Sequence, residues 1–276
     1  MARSTPAPPT TDCVLRTRVW TALVALPALL AVVLFAPAPW FAAFVALLTV
    51  WGLYEVGAMT QARTPGAIGA LVLAGGGSAI LLSWAPTRLW FIPLGVILAM
   101  LTLVVRVGED WASAGAPSPG TGLTLLGAFY VGALFPYFAL LRNRPDGIAA
   151  IIFVLLLVIA SDIGAYFAGS WLGRTKLAPR VSPKKTVEGA IGGLALCVVA
   201  GLLLRQSLEP GWSLGQAAAL SAAIGILAQL GDLAGSALKR RAGVKDSGWI
   251  FPGHGGLLDR TCSMVFATVF AYYWSR

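Results

Sequence analysis

Asp232, Ser236 and Lys239 stand at i, i+4 and i+7 in the stretch GDLAGSALKRRAGVKDSGWIFPGHGGLLDR, residues 231–260. In a continuous helix they share one face, so an acid, a hydroxyl and an ammonium would point into one cavity. Lys245 and Asp246 follow. A glycine-rich turn, Pro252-Gly253-His254-Gly255-Gly256, comes next and lets backbone approach a bulky ligand closely, and Asp259-Arg260 open the following apolar run. Hard divalent cations prefer carboxylate oxygens, and Mg²⁺ on a nucleotide usually takes one or two protein carboxylates plus phosphates and waters. Asp232, Asp246 and Asp259 are the candidates for such a metal. Lys239, Arg240, Lys245 and Arg260 could hold a triphosphate and stabilise charge as pyrophosphate leaves. Chemistry of this kind rests on positioning and electrostatics, and no serine or cysteine nucleophile beside a base is apparent. The alternative for these acids is ion pairing at helix ends with neighbouring cations. His254 is the only histidine. A lone histidine in a loop is usually a surface or packing residue and a poor zinc ligand, whereas its setting among glycines, acids and bases points to a role in the site.

A second polar stretch lies upstream. SDIGAYFAG ends an apolar run and is followed by SWLGRTKLAPRVSPKKTVEGAIGG. Asp162 and Tyr166 are four residues apart, hence on one helix face, and an ionisable group inside a span is costly unless it faces protein or water. Asp162 is either a metal or substrate contact or a structural carboxylate paired with a nearby cation. Arg174, Lys176, Arg180, Lys184 and Lys185 crowd together, and Pro183 followed by Thr186 and Glu188 reads as a helix start. Cations beside a helix N-terminus suit phosphate; the plainer reading is a basic patch that holds anionic lipid heads.

The elements that must position these groups are membrane spans. Of 276 residues, 58% are hydrophobic and only 11% charged, with a mean hydropathy of +0.80, too apolar for a water-soluble surface. The net charge of +9 fits anionic lipid and membrane orientation better than nucleic acid, which we exclude as a partner. Cys13, Cys197 and Cys262 form neither a disulfide framework nor a zinc pattern. Residues 1–18 read as a polar cytoplasmic tail, and 19–276 as a single transmembrane domain without internal repeats, with N-terminal spans over 19–141 and motif-bearing spans over 147–274. The apolar windows fall near 19–36, 39–59, 67–85, 89–106, 122–141, 147–171, 187–204, 213–234 and 257–274, which predicts an all-α bundle of about nine spans with a cytoplasm-facing polar cavity. With a cytoplasmic N-terminus, 15 of the 20 Lys and Arg face the cytoplasm. That excess supports the orientation, and it puts both polar stretches on one side. Arg88, Arg142, Arg144, Arg205 and Arg276 lie opposite.

Residues 236–260 resemble the signature of phosphatidate cytidylyltransferases. The match runs through Ser236, Lys239-Arg240, Lys245-Asp246, Gly248, Phe251-Pro252, His254-Gly255-Gly256 and Asp259-Arg260. SDIGAYFAG and SPKKTVEG are also similar to that family, and Asp232 sits where its metal-binding acid is expected. The resemblance covers the C-terminal part of the chain by motif. It implies transfer of CMP from CTP to phosphatidate, giving CDP-diacylglycerol and pyrophosphate, in a multi-pass protein of the inner membrane with the site facing the cytoplasm. It implies Mg²⁺, with a monovalent cation such as K⁺ as a second ion, and a homodimer. Catalytic roles fall to Asp246, Lys239, Lys245, His254 and Arg260. Substrate binding falls to Ser236, Arg240, Lys184, Lys185, Gly255, Gly256, Asp162 and Tyr166, and metal binding to Asp232, Asp246 and Asp259. The chain departs from the pattern at Gly235 and Cys262, where the family usually carries carboxylates, and Cys262→Asp is expected to be tolerated. Two rivals stay open: a CTP-dependent lipid kinase or a cytidylyltransferase for another lipid phosphate, and a transporter that merely binds anionic lipid. Charges clustered at one mouth rather than along a midplane pathway speak against the transporter.

Overall fold

The computed structural model describes residues 11–61, 121–208, 211–250 and 255–274, with single positions between 71 and 100. Its elements are α1 (Thr11–Phe35), α2 (Ala38–Met59), α3 (Thr121–Leu134), α4 (Pro136–Arg142), α5 (Gly147–Trp171), β1 (Lys176–Ala178), β2 (Ser182–Thr186), α6 (Val187–Leu208), α7 (Leu214–Arg241) and α8 (Leu258–Trp274). Five stretches are long and apolar enough to cross a membrane: Ala38–Met59, Gly122–Arg142, Gly147–Trp171, Val187–Leu208 and Leu214–Arg241. The protein is therefore a multi-pass helical membrane bundle. Of the spans expected at 67–85 and 89–106 only scattered helical positions are described, and the rest lie outside the described residues.

Several boundaries differ from those expected, each for a local reason. α1 begins at Thr11, so the helix reaches into the segment read as a tail. The span over 122–141 is two helices meeting at Phe135, because Pro136 at the first position of α4 has no N–H to continue the ladder. Pro183 does not start a helix; it lies in β2, which pairs antiparallel with β1 through Lys176 with Thr186 and Ala178 with Ser182. α7 opens on a capping box, with Ser213 accepting from the Gln216 N–H and Gln216 accepting from the Ser213 N–H, and runs to Arg241. At 1.5 Å per residue it is about 42 Å long, more than the hydrocarbon core, so its last turns and their cations stand at the mouth.

Two packings hold the bundle. α5 lies against α6 so closely that a Cβ on Gly164 would come 2.6 Å from the Gly192 carbonyl oxygen. Gly189 and Gly193 serve the same contact within the chain, facing the carbonyls of Ala165 and Ser161. α8 is the hub. It packs on α7, α4 and α5 and buries Leu258, Cys262, Val265, Phe266, Val269 and Tyr272 at helical spacing. Tyr130 of α3 meets Phe266 edge-on at 6.1 Å, and Tyr137 of α4 meets Tyr272 edge-on at 5.3 Å.

Candidate active site

Both polar stretches lie at one end of the bundle, because α5 and α6 leave and re-enter it through the β1–β2 hairpin while α7 and α8 do so through residues 242–257. The hairpin is tied at its base by Glu188, whose carboxylate accepts from the N–H groups of Arg174 and Thr175 at 3.1 Å each. Thr186 Oγ1 accepts from the Gly189 N–H and caps α6. The hairpin then docks on α7. Val181 packs with Leu233 and Ala237, Arg240 donates to the Val181 carbonyl, and Lys185 Nζ lies 2.7 Å from Asp232 Oδ2.

The extension of α7 to Arg241 places Asp232, Ser236 and Lys239 on a continuous helix. Lys239 Nζ donates to Asp259 Oδ1 at 2.5 Å, joining the end of α7 to the start of α8. The other Asp259 oxygen accepts from the Ser247 N–H at 2.8 Å and the Gly256 N–H at 2.9 Å. Asp259 is thus wrapped by protein donors, its side chain only 5% exposed. Asp162, on α5, lies within electrostatic reach of Asp232, Lys185 and Arg260. Lys184, Lys245, Asp246, Tyr166 and Arg260 are exposed, whereas Ser236 and Arg240 are half-buried. His254 lies outside the described residues.

The glycines of the turn have an internal reason. Gly255 holds φ +83° beside the Asp259 carboxylate, and Gly256 is buried against Ser247 and Glu55. Glu55 is the residue that sequence reasoning missed. It sits 2% exposed in α2 and accepts from Ser247 Oγ at 2.7 Å, Leu257 N–H at 2.7 Å, Leu258 N–H at 3.0 Å and Trp51 Nε1 at 3.1 Å. One signal could have found it, since a lone carboxylate in an apolar run is costly without partners.

Gly235 and Cys262 turn out to be neighbours across α7 and α8. A Cβ on Gly235 would collide with Cys262 Sγ. Cys262 is 4% exposed and lies against the buried Tyr130 hydroxyl, within reach of Lys239, Asp232 and Asp259. Burial of this position beside Asp232 and Asp259 weighs against the expectation that Cys262→Asp is tolerated, because a carboxylate there would be a further charge taken out of water.

Among the described residues no three His, Cys, Asp or Glu side chains gather around a common metal position. Asp162 and Asp232, both reachable by solvent and brought together against their mutual repulsion, fit a cation that also takes phosphate and water ligands. Asp259, already satisfied, fits less well.

Such an arrangement defines a membrane-embedded helical protein with a charged mouth suited to phosphates. The chain belongs to the cytidylyltransferase family, whose model matches residues 16–276. It is 40% identical over 207 residues to the phosphatidate cytidylyltransferase of Brucella suis, covering 70% of this chain and 72% of that one. The phosphatidate cytidylyltransferase of Bacillus subtilis is 37% identical over 183 residues, 66% of each chain. That of Synechocystis is 48% identical over 134 residues, 48% of this chain and 45% of the relative.

Proposed function

We propose that this protein is a phosphatidate cytidylyltransferase of the inner membrane, working at its cytoplasmic face. Its relatives carry that name, and the observation that supports the reading best is the Lys185–Asp232 bridge, which joins the two polar stretches into one charged surface beside Asp162 and Arg260. A phosphate oxygen of phosphatidate attacks the α-phosphorus of CTP. The new P–O bond forms as the bond from the α-phosphorus to the bridging oxygen breaks, and pyrophosphate leaves with the electron pair. The chain's own work is to hold two polyanions together. Lys184, Lys185, Lys245 and Arg260 offset their repulsion, while Arg240 fixes the hairpin against α7. Asp259 keeps the Lys239 ammonium oriented. Asp162 and Asp232 would hold a Mg²⁺, which supplies neutralisation of the leaving pyrophosphate.

The same reading includes the nine-span topology and a homodimer, whose contacts must fall away from Gly189 and Gly193 because α5 covers them. Detergent-solubilised protein given phosphatidate, radiolabelled CTP and Mg²⁺ should yield labelled CDP-lipid, with ATP and polyprenyl phosphate as separate arms. No CDP-lipid with any divalent metal overturns the reading. Product with polyprenyl phosphate alone redirects it to another lipid phosphate.

A further inference from the structure

Glu55 lies well into α2, in a helix that carries no other acid. Among the described residues no Lys or Arg forms an ion pair with it, yet it is nearly sealed from solvent. Its charge is offset in another way. Leu257 and Leu258 present the first backbone N–H groups of α8, which have no partner within the helix, and both point at the Glu55 carboxylate. The positive end of the α8 dipole adds to these charge-assisted bonds. α2 thus caps a helix that begins some 200 residues later in the chain.

Ser247 shows what this achieves. Its hydroxyl has one proton, and at 2.7 Å from Glu55 against 3.1 Å from Asp259 that proton belongs to Glu55. Its backbone N–H goes to Asp259 at 2.8 Å. Two carboxylates from different helices therefore grip one residue, and that residue adjoins Asp246. Gly248 and Gly256 leave the space: a Cβ on either would come within 2.7 Å of a Glu55 oxygen.

We infer that Glu55 is a positioning residue for nucleotidyl transfer: by gripping Ser247 and the N-terminus of α8 together it fixes Asp246 on one side and Arg260 on the other relative to α7. This rests on the function proposed above. The residue touches no substrate and acts through the loop it holds.

The test uses the full-length protein in detergent. Glu55→Gln keeps the shape but turns one acceptor into a donor facing donors. It should lower kcat about tenfold or more, since small misplacements are costly in such reactions, with KM for CTP within about threefold. Hydrogen exchange should rise in residues 245–258 and stay unchanged in α5 and α6. A kcat within about twofold of the parent, or unaltered exchange in 245–258, overturns the inference. Should Glu55→Gln fail to fold, Ser247→Ala removes a single donor and should give the same signature, smaller; its absence in that variant is equally decisive. If the parent makes no CDP-lipid, the functional reading fails, while the exchange measurement still decides whether Glu55 holds the loop.

Discussion

The hairpin at 176–186 and the loop at 242–257 stand side by side at one mouth, yet they are held by opposite means. The hairpin is fixed by a backbone ladder and by Glu188 at its base, which leaves Lys176, Arg180 and Lys184 exposed at its surface. The loop forms no strand among its described residues. It is held by the buried carboxylates of Glu55 and Asp259, which bind backbone N–H groups directly. An acid used in this way is hidden from a ligand, so the acids of the mouth divide into two sets. Glu55 and Asp259 hold structure, while Asp246, Asp232 and Asp162 meet solvent.

The largest effect should come from the exposed set. Asp246→Asn should reduce CDP-lipid formation about 100-fold or more with an unchanged melting temperature. Near-normal turnover in that variant would break the division. Gly256→Ala attacks the structural set, because its methyl would stand 2.5 Å from Glu55 Oε1. Overpacking of this kind costs about 1–3 kcal/mol, so both turnover and melting temperature should fall, turnover by about tenfold. Cys262→Asp should chiefly destabilise, lowering the melting temperature by several degrees, since it puts a carboxylate among buried groups. A variant as stable as the parent would mean that this pocket admits water. The smallest change belongs to the hairpin: Lys184→Ala should raise KM for CTP by about two- to fivefold, less so at high salt, with kcat unchanged.

Much of this was readable from sequence, and the reasons are local. The apolar runs behind α2, α5, α6 and α7 are long enough to specify spans on their own, and the spacing of Asp232, Ser236 and Lys239 sufficed to place them on one helix that continues past the apolar window. The motif residues of α7 and α8 do meet, through the Lys239–Asp259 bond, but Asp259 is sealed by protein donors there rather than opening into the polar cavity expected for it. What escaped was long-range. Glu55 binds Ser247 across 192 positions, and two of its donors are backbone groups that leave no trace in residue type. The hairpin escaped for the reverse reason: Pro183 is as good a helix starter as an edge-strand residue, and only the pairing of Lys176 with Thr186 decides between them. Gly235 and Cys262 read as two separate departures, though they are one contact.

The far end of the bundle completes the electrical picture. There Arg142 donates to the carbonyls of Val33 and Ala36 at the end of α1, Arg144 lies 4.4 Å from the Tyr272 ring centre, and Arg205 donates to the Trp212 carbonyl at 2.6 Å. Those guanidinium groups are absorbed by oxygen lone pairs and a ring face, while the hairpin end displays Lys176, Lys184 and Lys245 outward. The result is a lopsided field, drawing a nucleoside triphosphate from bulk water toward one end of the molecule, and its capture rate should fall steeply as ionic strength rises.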